Sequence, residues 1–167
     1  MWITSVRYKD VIHLQPKSLR QRALDYLAKR EYSYVELGKK LKAFAEESDD
    51  IPALLDDFKA RGWLSDERFA EQLVHARKAK FGSARVANEL REKGIADDLI
   101  ANAVSDVKTN ELANAKEIWR KKYKDAPRTR EEWAKQARFL QSRGFGFEII
   151  KKVLNNTAVG DDSEYND

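Results

Sequence analysis

Phe81-Gly82-Ser83-Ala84-Arg85-Val86-Ala87-Asn88-Glu89-Leu90-Arg91-Glu92-Lys93-Gly94-Ile95 reads as one complete helix with its punctuation. Ser83 suits the N-cap, residues 84–93 keep helical spacing, and Gly94 suits the left-handed position that closes a helix. Its ending returns fifty residues later as Leu140-Gln141-Ser142-Arg143-Gly144-Phe145. In both places Leu-x-x-x-Gly is followed by an apolar residue. A string that recurs at a fixed step marks a repeated unit.

The same register extends outward in both directions. Ser18 with Gln21, Ser33 with Glu36 and Thr129 with Glu132 fit capping boxes, Ser65 and Asp97 suit N-caps, and Gly62 joins Gly94 and Gly144 as a helix stop. These signals predict helices over 18–30, 33–45, 51–61, 66–80, 84–93, 97–107, 110–123, 130–143 and 147–156. They fall into three triplets. The first helix of each carries Ala23/Leu27, Phe69/Leu73 or Ala115/Trp119, the second Leu41, Leu90 or Leu140. The third carries Leu54-Leu55-x-x-Phe58, Leu99-Ile100-x-x-Ala103 or Ile149-Ile150-x-x-Val153. The expected fold is all-α, with three tandem three-helix repeats (18–65, 66–109, 110–156) forming an elongated, curved array. An N-terminal extension (1–17) and an acidic, unstructured tail (157–167) flank it. Units this small bury little core alone, so stacked neighbours are expected to cover one another and to leave no deep pocket.

Composition narrows the chemistry. The 167 residues contain no Cys and two His, which excludes thiol nucleophiles, disulfides and thiolate metal sites. No phosphate-binding glycine loop, dinucleotide fingerprint or His-Glu-x-x-His pattern appears. Asp49/Asp50, Asp56/Asp57, Asp97/Asp98 and Asp161/Asp162 are neighbours in sequence, so on a helix they diverge. The reading is of a non-enzyme without cofactor or metal. No stretch approaches the ~20 apolar residues of a membrane span, and the N-terminus lacks a signal-peptide core, so a monomeric cytoplasmic protein is expected.

Charge is unevenly spread. Residues 110–156 hold 12 basic and 6 acidic side chains, while 46–57 hold 6 acidic and none basic, so local potential exceeds what the net +4 suggests. Arg77, Lys80 and Arg85 surround the Phe81-Gly82 turn, with Arg91 and Lys93 one helix on. Arg120, Lys121, Lys122 and Lys124 end a helix of the third unit. Helix C-termini favour cations anyway, but the excess points to an anionic polymer as partner. Aromatic residues lie among these charges. Trp63, Trp119 and Phe139 are read as core, whereas Tyr34 and Tyr123 fit either core or base stacking.

Three strings resemble the RecX family of recombination regulators: 31–41 (Glu-Tyr-Ser-Tyr-Val-Glu-Leu-Gly-Lys-Lys-Leu), the Gly62-Trp63-Leu64-Ser65-Asp66-Glu67-Arg68-Phe69 junction, and the central 81–95 motif. The resemblance spans about 18–156. It implies three three-helix repeats that bind the RecA recombinase filament on single-stranded DNA, in its groove. There they suppress filament growth, ATPase, strand exchange and co-protease activity, and some members also bind DNA directly. It carries no catalytic residue, and it maps basic positions onto Lys39, Lys40, Arg85, Arg91 and Lys93. Ala87 stands where many members have a second Arg, and Ser83 where Pro is common. A general DNA-binding protein that affects recombination by competing for DNA is the alternative.

Overall fold

The computed structural model describes residues 17–156; the expectations for the remainder of 1–17 and for 157–167 lie outside the described residues. Its helices are α1 (Leu19–Leu27), α2 (Tyr34–Leu41), α3 (Ile51–Ala60), α4 (Asp66–Arg77), α5 (Ser83–Glu92), α6 (Asp97–Ala103), α7 (Ser105–Thr109), α8 (Glu111–Lys122), α9 (Arg130–Ser142) and α10 (Phe147–Asn156). No strand occurs among the described residues.

The caps explain most boundaries. Ser18 Oγ accepts from Gln21 N while Gln21 Oε1 accepts from Ser18 N, which completes one capping box. The other two are half-boxes. Ser33 and Thr129 each accept from the expected backbone N–H, but Glu36 turns to Arg30 and Lys93, and Glu132 accepts from Arg128 N. Gly62, Gly94 and Gly144 adopt φ of 70°, 78° and 87°, the left-handed conformation that a side chain disfavours.

Five expectations are corrected. Gly82 and Ala96 occupy the N-caps assigned to Ser83 and Asp97, which begin their helices instead. The helix over 33–45 tightens into a 3₁₀ turn at Lys42–Phe44, where no glycine offers a left-handed stop. The helix over 97–107 divides at Val104, beside which Ser105 Oγ donates to Asn102 O, a local bond that competes with the helical ladder. Trp63 is 42% exposed, an edge against Phe58 with Arg20 and Arg61 at its ring, rather than core.

Apolar side chains gather into three separate cores. Leu37, Leu41, Leu55 and Phe58 centre the first, Phe69, Val86, Leu90 and Ile100 the second, and Trp119, Leu140, Ile150 and Val153 the third. Leu41, Leu90 and Leu140, the repeated anchors of the second helices, are all fully buried. Helix pairs in substantial contact lie within one triplet, apart from the consecutive α7 and α8. Neighbouring units therefore do not cover one another's apolar faces. Each encloses its own core, and units meet at helix ends through polar groups and close packing such as Val35 against Gly94. Hydrogen bonds join the first unit to the second and the second to the third, and none joins the first to the third among the described residues.

Candidate partner-binding surface

Packing sorts the cations singled out by sequence into two groups. Arg77 forks onto Glu89 with two 2.9 Å bonds, tying α4 to α5. Arg91 pairs with Asp97 at 3.1 Å, Lys93 with Glu36 at 3.0 Å, and Lys121 with Glu117 at 2.7 Å one turn away. Arg85 donates to Ser142 O at 2.6 Å and lies 4.5 Å from the Phe81 ring centre. Lys40 sits over Tyr26 and Tyr32. Among the described residues no ion pair engages Lys39, Lys80, Arg120, Lys122 or Lys124.

The unengaged cations concentrate where α8 ends. Lys122, Lys124, Arg128 and Lys135 line an open cleft at the elbow between α8 and α9, against two carboxylates, Asp125 and Glu132. Lys122 also rims a second groove with Lys80, Lys121 and Arg143, whose floor is Ala79, Ile118 and Phe139. The two clefts share Lys122, so one basic strip runs from the elbow to the seam between the second and third units. Four cations against two carboxylates leave a positive excess that reaches across about a Debye length of 8 Å in physiological salt.

The elbow is anchored from below. Gln136, 6% exposed, accepts from the buried Trp119 indole N–H at 2.7 Å and donates to Asp125 O at 3.3 Å. The core thus holds the loop that displays Lys124. Replacing Gln136 by Leu orphans the indole N–H, and we expect a loss of about 1–3 kcal/mol, read as a lower denaturation midpoint. Tyr123 meets Phe139 edge to face, so its ring belongs to the packing of the third unit. Tyr32 is buried, and Tyr34 is half-buried against the first core.

Arg128 belongs to the basic run from Arg120 to Arg130 that the sequence singles out, but sequence reasoning omitted Lys135 and Arg143 from the strip. Arg143 was signalled, because it precedes Gly144 as Lys93 precedes Gly94. Lys135 carries no local signal and reaches the cleft only because α9 folds back on α8.

Glu36 is a titratable group held between two units. Burial works to raise its pKa, but hydrogen bonds from Arg30 and Lys93 outweigh it and hold the carboxyl below its ordinary value. A depressed carboxylate stabilises the fold above the unfolded value, ~4.3 for glutamate, and the contribution is lost as pH falls through the folded value. Acidification below about pH 4 is therefore expected to loosen the contact between the first and second units, and Glu36→Gln to remove that pH dependence in a denaturation series.

No helix among the described residues is long and apolar enough to cross a membrane, and no cluster of His, Asp and Glu there has metal-binding geometry. A family model described as the second three-helix domain of RecX matches residues 65–104, and another described as the third three-helix domain matches 109–154. The regulatory protein RecX of Leptothrix cholodnii is 44% identical over 137 residues, covering 82% of this chain and 87% of that protein. The chain belongs to the RecX family. The RecX of Chromobacterium violaceum is 43% identical over 151 residues, covering 90% of this chain and 97% of its own. Crystal structures agree in fold: RecX from Lactobacillus salivarius has a TM-score of 0.67 at 20% identity, over 84% of this chain and 95% of that one. A second RecX crystal structure gives 0.70 at 22% identity, over 83% and 71%. RecX relatives are described as regulatory proteins, and nothing in the strip above has the convergence of an enzyme's reacting groups.

Proposed function

We propose that this chain is a negative modulator of the RecA recombinase. It lodges as a cytoplasmic monomer in the groove of the RecA filament on single-stranded DNA and inhibits filament growth, ATPase, strand exchange and co-protease activity. One observation carries the reading: a strip of cations that, Lys121 apart, have no ion partner among the described residues, lining open clefts on a row of small units. Such a surface suits a long anionic polymer better than a small molecule. Three units in a row, each joined only to its neighbour, offer length enough to touch successive filament subunits. Inhibition then follows if the chain binds one filament state better than another, since only differential affinity shifts an equilibrium.

The contacts proposed are Lys80, Arg120, Lys121, Lys122 and Lys124, with Arg128, Lys135 and Arg143 completing the strip. Lys39 and Lys40 are proposed as further contacts on the first unit. Arg77, Arg91 and Lys93 are contacts of a second kind, because a partner shares or displaces the carboxylates they already hold. The same elbow supports a second reading, a protein that tracks phosphates of naked DNA and competes with RecA for it. Titrating labelled single-stranded DNA at two salt concentrations, with and without RecA, separates them. Recruitment that requires preformed filament supports the first reading; tight, steeply salt-dependent binding to DNA alone supports the second.

A further inference from the structure

We infer that the array is held in shape by one joint used twice, in which the middle helices of successive units meet end to end, and that Ser33, Gly82, Asp66 and Glu111 are its positioning residues. At the first joint Ser33, the N-cap of α2, donates its hydroxyl to Lys93 O at the C-cap of α5, at 2.7 Å. At the second, the N–H of Gly82, the N-cap of α5, donates to Arg143 O at the C-cap of α9, at 2.8 Å. A helix leaves its first N–H groups and last carbonyls without partners, and each joint satisfies one end with the other. In both joints the N-terminal end of one middle helix meets the C-terminal end of the next, which brings opposite partial charges of the two dipoles together.

A second contact repeats as well. The N–H of the first residue of the middle helix donates to the carboxylate on the first residue of the next unit's first helix. Tyr34 N reaches Asp66 Oδ1 at 2.8 Å, and Ser83 N reaches Glu111 Oε1 at 3.0 Å. Gly82 has no side chain with which to cap α5, and Glu111 supplies the acceptor from the third unit.

The glycines close the case. A Cβ on Gly94 would overlap Val35 of the preceding unit, and a Cβ on Gly144 would lie 2.5 Å from Arg85 Cβ. Gly82 has an ordinary φ of −75°, open to any residue, yet a Cβ there would lie 2.6 Å from Gly144 O. Its absence of side chain serves the approach of two units, not the backbone. The Leu-x-x-x-Gly string therefore marks a joint. The first unit's middle helix has no preceding unit among the described residues, and it ends without glycine.

The chain has no Cys, so label pairs can be introduced cleanly. Spin labels at Ala53→Cys with Ala101→Cys report the first joint, and at Ala101→Cys with Lys151→Cys the second, as distance distributions in the full chain without RecA. Gly82→Ala and Glu111→Ala are expected to shift and broaden the second distance and leave the first unchanged. Ser33→Asp keeps an N-cap acceptor but loses the donated hydrogen, so it is expected to shift the first distance alone. Gly62→Ala, strained at φ 70° with nothing near its Cβ, lowers the melting temperature and moves neither distance. Parental distance distributions in both Gly82→Ala and Glu111→Ala, with helical signal retained, would overturn the inference. Because RecA is absent, that outcome leaves the proposed function untouched.

Discussion

Replacing Lys122, Lys124, Arg128 and Lys135 together by Glu is expected to reduce inhibition of RecA's DNA-dependent ATPase by at least about a hundredfold at low salt, with helical content unchanged. All four side chains are exposed, and none forms an ion pair among the described residues, so their reversal breaks no internal contact. The loss arises twice over, from removed attraction and from new repulsion against phosphate or carboxylate. Its salt dependence should fall in step, by roughly one unit of slope per phosphate contact removed. The control is an equal reversal elsewhere, at Lys29, Lys42, Lys108 and Lys151, which are exposed and form no ion pair among the described residues. Equal loss from both sets would mean that net charge, not the elbow, governs the effect, and the strip would lose its standing as a contact.

Truncating a core anchor should unfold one unit and spare the others. Leu140→Ala and Phe58→Ala each remove a fully buried side chain and should cost about 3–5 kcal/mol. The three cores are discrete, and among the described residues the units meet at helix ends through hydrogen bonds, an ion pair and close packing such as Val35 against Gly94, so no continuous core carries the damage from one to the next. Hydrogen exchange is expected to accelerate across α8–α10 in Leu140→Ala and across α1–α3 in Phe58→Ala. In the second unit exchange is expected to accelerate only where the joints meet it. Acceleration through the whole chain from either substitution would instead show a single cooperative unit.

Much of this was legible in the amino-acid order because helices obey local rules. Ser18 and Gln21 sit three residues apart and satisfy each other; Gly62, Gly94 and Gly144 follow helical runs and take the left-handed stop. Leu41, Leu90 and Leu140 recur at steps of 49 and 50 residues, and each is completely buried. Where local rules fell short, a distant group had intervened. Ser83 looked like an N-cap, but its hydroxyl bonds Glu111, 28 residues on, and Gly82 takes the cap. Trp63 looked like core, but arginines at its ring hold it at the edge.

The order of residues alone determined an all-helical chain of three like units, since periodicity and capping act over three or four residues. Which cations stay available to a partner was settled only by tertiary structure. Lys93 meets Glu36 across 57 residues and Arg85 meets Ser142 across 57, whereas Lys122 and Lys124 meet no such partner among the described residues. A basic side chain looks the same in sequence whether or not a carboxylate or carbonyl from another unit comes within 3 Å of it. Only the joints between units bring those groups together.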